Sequence, residues 1–135
     1  YANDIKEKML GVRHETLETY GAVSHETVAE MARGVRKAAG ADFGVGITGI
    51  AGPGGGTPEK PVGLVYLAAC SADTVYVQKL VITGRTREVV RLSSTQHALE
   101  MVRRLALGLP QPACTAFPAE EPAHLMQKGT PARDV

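Results

Sequence analysis

Val62-Gly63-Leu64-Val65-Tyr66-Leu67-Ala68-Ala69-Cys70-Ser71 is followed, after only Ala72-Asp73, by Thr74-Val75-Tyr76-Val77-Gln78-Lys79-Leu80-Val81-Ile82-Thr83. Both runs are rich in β-branched and aromatic residues, and the two residues between them are a hairpin signature. The first run is apolar almost throughout, which predicts a strand covered on both faces of a sheet. Upstream, Asp42 to Thr48 reads as a third strand, punctured by Gly44 and Gly46. Between it and the hairpin lies a loop, Gly49 to Pro61, whose glycines and three prolines suit neither helix nor strand.

Helical patterns flank these strands. Tyr1 to Gly11 reads as a short helix with Asn3 or Asp4 at its start, and His14 to Tyr20 as a further short one closed by Gly21. Ser24 is placed to cap a longer helix whose apolar face is Val28, Met31, Ala32, Val35 and Ala39, ended by Gly40. From about Thr86 to Leu107, Val89, Leu92, Leu99, Val102 and Leu105 mark a long amphipathic helix stopped by Gly108 and Pro110. Residues 110–135 hold five of the eight prolines without periodicity, which predicts a disordered tail and an ordered mixed α/β domain over residues 1–109.

The chain has 135 residues, enough for one domain. Its 15 basic and 14 acidic side chains leave a net charge of +1, so no strong field draws it to nucleic acid or an acidic membrane. Aromatics at 4% and no Trp argue against a stacking platform for single strands. The run Val62–Cys70 is too short to span a bilayer, and no signal peptide is visible. Two cysteines without a C-x-x-C fit a reducing cytoplasm. The opening Tyr1-Ala2-Asn3, without Met, reads as a piece of something longer.

Several motifs fail on context. His14-Glu15 and His25-Glu26 begin like H-E-x-x-H, but Glu18 and Ala29 occupy the fifth position, so no metal site is expected. Gly44-Val45-Gly46-Ile47-Thr48-Gly49 matches G-x-G-x-x-G, yet Ala51-Gly52-Pro53 follows where a dinucleotide fold needs a helix to start. A phosphate loop of the Walker type fails because Pro61 follows Lys60. Eight glycines between Gly44 and Gly63, stiffened by prolines, predict a shaped loop whose bare backbone can approach a ligand. Arg85, Arg87 and Arg91 open the last helix, where cations oppose the dipole; they suggest an anionic partner or ion pairing to Glu88. Lys6, taken alone, reads as part of a solvated face.

Taken together these segments resemble the CinA C-terminal domain family, the nicotinamide-nucleotide amidohydrolases. The resemblance rests on Tyr1 to Lys6 with Leu10-Gly11-Val12, Gly21-Ala22-Val23-Ser24 and Met31-Ala32-Arg33-Gly34. It continues in Thr48-Gly49-Ile50-Ala51-Gly52-Pro53-Gly54-Gly55, in Lys60-Pro61-Val62-Gly63, and in Gly84-Arg85 with Arg91. It implies a layered α/β/α sandwich with a central mixed sheet, and hydrolysis of nicotinamide mononucleotide to nicotinate mononucleotide and ammonia. A serine nucleophile with a lysine base, helped by a tyrosine and an arginine, is implied, without metal or cofactor. By the family's Tyr-Ser-Asn-x-x-Lys motif, Lys6 and Tyr1 are the catalytic candidates, with Ala2 standing where the family has Ser. Arg85 is the first candidate for the arginine and Arg91 the second. Asn3, Ala22, Thr48, Gly49, Gly52 and Gly54 are the further substrate-binding candidates. The implied partner is a small nucleotide in the cytoplasm, with no nucleic acid or membrane, and the protein is expected to be a homo-oligomer.

One departure matters. The family's nucleophile lies in a Glu-Ser-Cys-Thr-Gly-Gly segment upstream of the tyrosine motif, and this sequence contains no such segment. Ser71, Ser93 and Ser94 lie elsewhere, and Ser24 is a helix cap. The sequence therefore reads as N-terminally truncated, carrying the base and part of the pocket. The alternative reading is an inactive remnant or a nucleotide-binding module.

Overall fold

A computed structural model of the chain describes residues 1–120 and the pair 133–134. The elements are α1 (Asn3–Leu10), α2 (His14–Tyr20), α3 (His25–Ala39), β1 (Gly44–Gly49), β2 (Leu64–Cys70), β3 (Thr74–Val81), α4 (Arg87–Leu107), β4 (Thr115–Pro118) and β5 (Arg133–Asp134). The strands form one sheet in the order β1-β2-β3-β4-β5.

β2 is buried at every residue because alternate side chains enter two different cores. Leu64, Tyr66, Ala68 and Cys70 pack with Val28, Ala29 and Ala32 of α3, while Val65, Leu67 and Ala69 pack with Val90, Ala98 and Met101 of α4. The result is the expected α/β/α layering. Every described pairing is antiparallel, where a mixed sheet was expected. The reason is local: no helix separates β1 from β2 or β2 from β3, and a parallel pair needs a crossover connection.

The Ser24 side chain accepts from Thr27 N to cap α3, as its position predicts. The glycines of β1 serve helix packing. Gly44 and Gly46 face α3, and a Cβ at Gly46 would sit 2.8 Å from the Val28 carbonyl oxygen. The other face of β1 carries Val45 and Ile47, both exposed, and the outer edge of β1 has no strand beside it among the described residues.

Two expectations are corrected. On α4 the inner face is Val90, Ser94, Ala98 and Met101, with Val102 and Leu105 of the expected stripe packed beside it, whereas Val89, Leu92 and Leu99 are exposed. Apolar residues lie on both sides of this helix, and its inner side uses small Ser94 and Ala98 to come close to the sheet. The tail expected to be disordered from residue 110 is ordered in its first part. There β4 pairs with β3, the buried Gln111 amide donates to Met101 O at 3.0 Å, and Ala119 joins the core. Short strands held mainly by backbone pairing leave little hydrophobic period to read. Residues 121–132 and 135 of that expected tail lie outside the described residues.

Candidate functional site

A cleft of about 550 Å³ opens between α1, the α2–α3 turn, the end of β1 and the first half of α4. α1 supplies Lys6, only 7% exposed, whose Nζ donates to the Tyr1 carbonyl oxygen at 2.9 Å. Tyr1 and Asn3 also line the cleft, the Tyr1 side chain standing fully in solvent.

The turn after α2 is held by side chains from three elements. Lys60 Nζ donates to Tyr20 O at 2.7 Å, and Thr27 Oγ1 and Ser24 Oγ donate to Gly21 O at 2.7 and 3.1 Å. Thr48 Oγ1, from β1, donates to Ala22 O at 2.6 Å. Three consecutive carbonyls are thus satisfied, while the amides of Ala22 and Val23, both in the cleft lining, have no hydrogen-bond acceptor among the described residues. The glycine loop is fixed as well. Ile50 N donates to Leu64 O, Gly63 N to Ile50 O, Thr57 N to Lys60 O, and Arg87 Nη1 to Gly52 O at 3.2 Å.

α4 presents Arg87, Val90, Arg91, Ser94 and Thr95 to the cleft. Spacings of three and four put these residues on one helical face. Ser94 is buried and its hydroxyl donates to Val90 O at 2.7 Å, the back-bond typical of a helical serine. Lys6, Arg87 and Arg91 give the lining three cations, and no Asp or Glu is among the lining residues.

Of the ten residues named from the sequence, Tyr1, Asn3, Lys6, Ala22, Thr48, Gly49 and Arg91 meet in this cleft. Gly52, Gly54 and Arg85 are outside its lining. Arg85 is exposed and precedes Thr86, the cap of α4, so it is not on the helical face that carries Arg91. Arg87, grouped in the sequence with Arg85 and Arg91 as a hint of an anionic partner but not singled out as a site residue, lines the cleft. Its spacing of four from Arg91 was the available signal. Among the described residues no three His, Cys, Asp or Glu side chains are grouped to hold a metal ion, and no helix is long and apolar enough to cross a membrane.

A family model described as the CinA C-terminal domain matches residues 1–106. A putative competence-damage inducible protein of Thermoanaerobacter pseudethanolicus is 58% identical over 109 residues, which are 81% of this chain and 26% of that protein. A CinA-like protein of Desulfovibrio desulfuricans is 53% identical over 112 residues, 82% of this chain and 26% of that protein. The chain therefore spans about a quarter of the length of the curated relatives it matches. Among solved structures, competence/damage inducible protein CihA from Agrobacterium tumefaciens superposes with a TM-score of 0.77 at 47% identity, covering 78% of this chain and 65% of that one. A competence-damaged protein (CinA) superfamily member from Escherichia coli gives a TM-score of 0.72 at 34% identity, covering 78% and 60%.

Proposed function

The chain belongs to the CinA C-terminal domain family, and on that premise we propose that its cleft takes nicotinamide mononucleotide and forms part of an amidohydrolase site. The reaction is hydrolysis of the carboxamide to nicotinate mononucleotide and ammonia. The observation that carries this reading is the lining itself: three cations, no carboxylate, and a buried lysine in a cleft of about 550 Å³. That volume lies within the roughly 300–1,000 Å³ typical of small-ligand sites.

The roles divide by chemistry. Arg87 and Arg91, fixed on one face of α4, suit a phosphate, which takes paired N–H donors from guanidinium. Lys6 is the base, and its hydrogen bond to Tyr1 O orients the amine. The nucleophile is the serine of the family's Glu-Ser-Cys-Thr-Gly-Gly segment. Lys6 Nζ takes the serine proton as the oxygen–carbon bond forms, then returns it to the departing nitrogen as the carbon–nitrogen bond breaks. Water next cleaves the acyl ester, with Lys6 again moving the proton.

A second reading, binding without hydrolysis, applies to these 135 residues taken alone, which contain no Glu-Ser-Cys-Thr-Gly-Gly segment. Calorimetric titration of the 135-residue chain with nicotinamide mononucleotide, nicotinamide riboside and NAD, alongside an ammonia assay, tests both. The mononucleotide should bind, and the riboside should bind at least about tenfold more weakly because it lacks the charge-assisted phosphate contacts. The present sequence should release no ammonia above background. Equal affinity for nucleotide and riboside would contradict the site; ammonia release would place a nucleophile within this sequence.

A further inference from the structure

We propose that the turn between α2 and α3 receives the carboxyl end of the ligand, so that the cleft holds nicotinate mononucleotide, the product, more tightly than nicotinamide mononucleotide. This inference rests on the reading of the cleft given above. Lys60 and Thr27, both outside the cleft lining, are the positioning residues of the turn. Ala22 and Val23 do line the cleft, and their backbone amides meet no acceptor among the described residues. Amides left unpaired on a half-buried turn call for water or a ligand to complete them.

The direction of those amides follows from the carbonyls. In a trans peptide the C=O and the N–H point opposite ways, and among the described residues the only cis peptide is Gly52-Pro53. Gly21 O is held toward α3 by Thr27 Oγ1 at 2.7 Å and Ser24 Oγ at 3.1 Å, so Ala22 N–H is turned away from α3. Ala22 O is held toward β1 by Thr48 Oγ1 at 2.6 Å, so Val23 N–H is turned away from β1. Lys60 Nζ fixes the preceding carbonyl, Tyr20 O, at 2.7 Å. It passes close to Gly21, which has a φ of +77° and where a Cβ would stand only 3.0 Å from Nζ. Side chains from α3, β1 and the glycine loop thus converge on one short turn and set its amides in place.

This side of the cleft offers donors. Lys6, on a helix packed against α3, brings its Nζ, and the turn brings two N–H groups. The nearby carbonyls already accept: Tyr1 O from Lys6, and Tyr20, Gly21 and Ala22 O from the bonds just described. Asn3 can donate or accept, so it favours neither nucleotide. A carboxylate is acceptor-only and satisfies every such donor, whereas a carboxamide also turns an NH2 toward them. Hydrogen bonds to the ionised group are in addition about twice as strong. Arg87 and Arg91 stand on α4, which packs on the other face of the sheet from α3, so the phosphate and the carboxyl end fall on opposite sides of the cleft. Hydrolysis therefore creates, in place, the group this turn holds best, and the reaction is inhibited by its own product.

Calorimetric titration of the full 135-residue chain with nicotinate mononucleotide and with nicotinamide mononucleotide reads the preference directly. The nicotinate nucleotide should bind at least about tenfold more tightly. Lys60→Met keeps the stem and removes the tie to Tyr20 O, while Thr27→Val keeps the shape and removes one tie to Gly21 O. Each should narrow the preference to about threefold or less, because the amides lose their fixed direction. A residue that only supported the fold would weaken both nucleotides alike and leave their ratio unchanged. Thr27→Val alters no charge, so narrowing there cannot come from a weaker field of the protein. Circular dichroism checks folding, and either variant decides the point if the other fails to fold. Equal affinity of the parent for the two nucleotides, or an unchanged ratio in a folded variant, would overturn this inference and leave the proposed function standing. Binding of neither nucleotide would overturn both.

Discussion

Lys6 shows how little a residue's own neighbourhood in sequence says about its burial. It sits in a short, polar helix, among Asp4, Glu7 and Lys8, where a solvated face is the ordinary outcome. In the fold it is buried, because α1 lies across α3 and turns Lys6 into the cleft. Only the family motif marked it in the sequence. The arginines teach the reverse lesson, since helical spacing alone separates Arg87 and Arg91 from Arg85. Arg87→Ala and Arg91→Ala should each weaken nicotinamide mononucleotide binding about ten- to a hundredfold, the cost of one charge-assisted contact of roughly 1.5–3 kcal/mol. Arg85→Ala should change it less than twofold, a difference a calorimetric titration resolves. A loss at Arg85 with none at Arg87 would return the phosphate to the glycine-loop side.

At the scale of elements, caps and stops were legible and faces only partly so. Ser24, Gly40, Thr86 and Gly108 occupy the ends that their chemistry predicts. α4 was misread because its exposed leucines outweigh the small residues that pack against the sheet. Met101→Ala should therefore cost about 2–5 kcal/mol in urea unfolding, whereas Leu99→Ala should stay within about 0.5 kcal/mol. Similar losses at both sites would restore the original face.

α3 gives a pH prediction. Burial lowers the pKa of His25 from its usual 6.5, Lys79 adding to the shift and Glu26 opposing it, while the ring packs 4.5 Å from that of Tyr66. The unfolded chain accepts the proton first, so the His25 contribution to stability is complete above about 6.5 and declines as pH falls toward the lowered value. His14 acts in the opposite sense, its pKa raised by the hydrogen bond to Glu7 and the charges of Glu7 and Glu18. Comparing the parent with His25→Gln cancels His14. The parent should lose more stability than the variant between pH 7.5 and 5.5 in urea titrations, and equal losses would contradict the burial argument.

For the molecule as a whole, the continuous apolar run of β2 was enough to predict a sheet covered on both sides. The loop from Gly49 to Pro61 was recognisable as shaped rather than floppy. The antiparallel order and the addition of β4 were not legible, because strand partners follow from connections and backbone pairing more than from side-chain period. Membership in the CinA C-terminal domain family joins these scales, and Lys6, Arg87 and Arg91 line the one cleft to which the proposed reaction is assigned. The most direct test supplies the chain with a family segment carrying Glu-Ser-Cys-Thr-Gly-Gly ahead of Tyr1 and follows ammonia release from nicotinamide mononucleotide. With Lys6 present, ammonia should be released; Lys6→Arg should lower the rate by about 10²–10⁴, because guanidinium cannot serve as the base near neutral pH. Undiminished release by Lys6→Arg would contradict the assignment of Lys6 and with it the proposed reaction at this cleft.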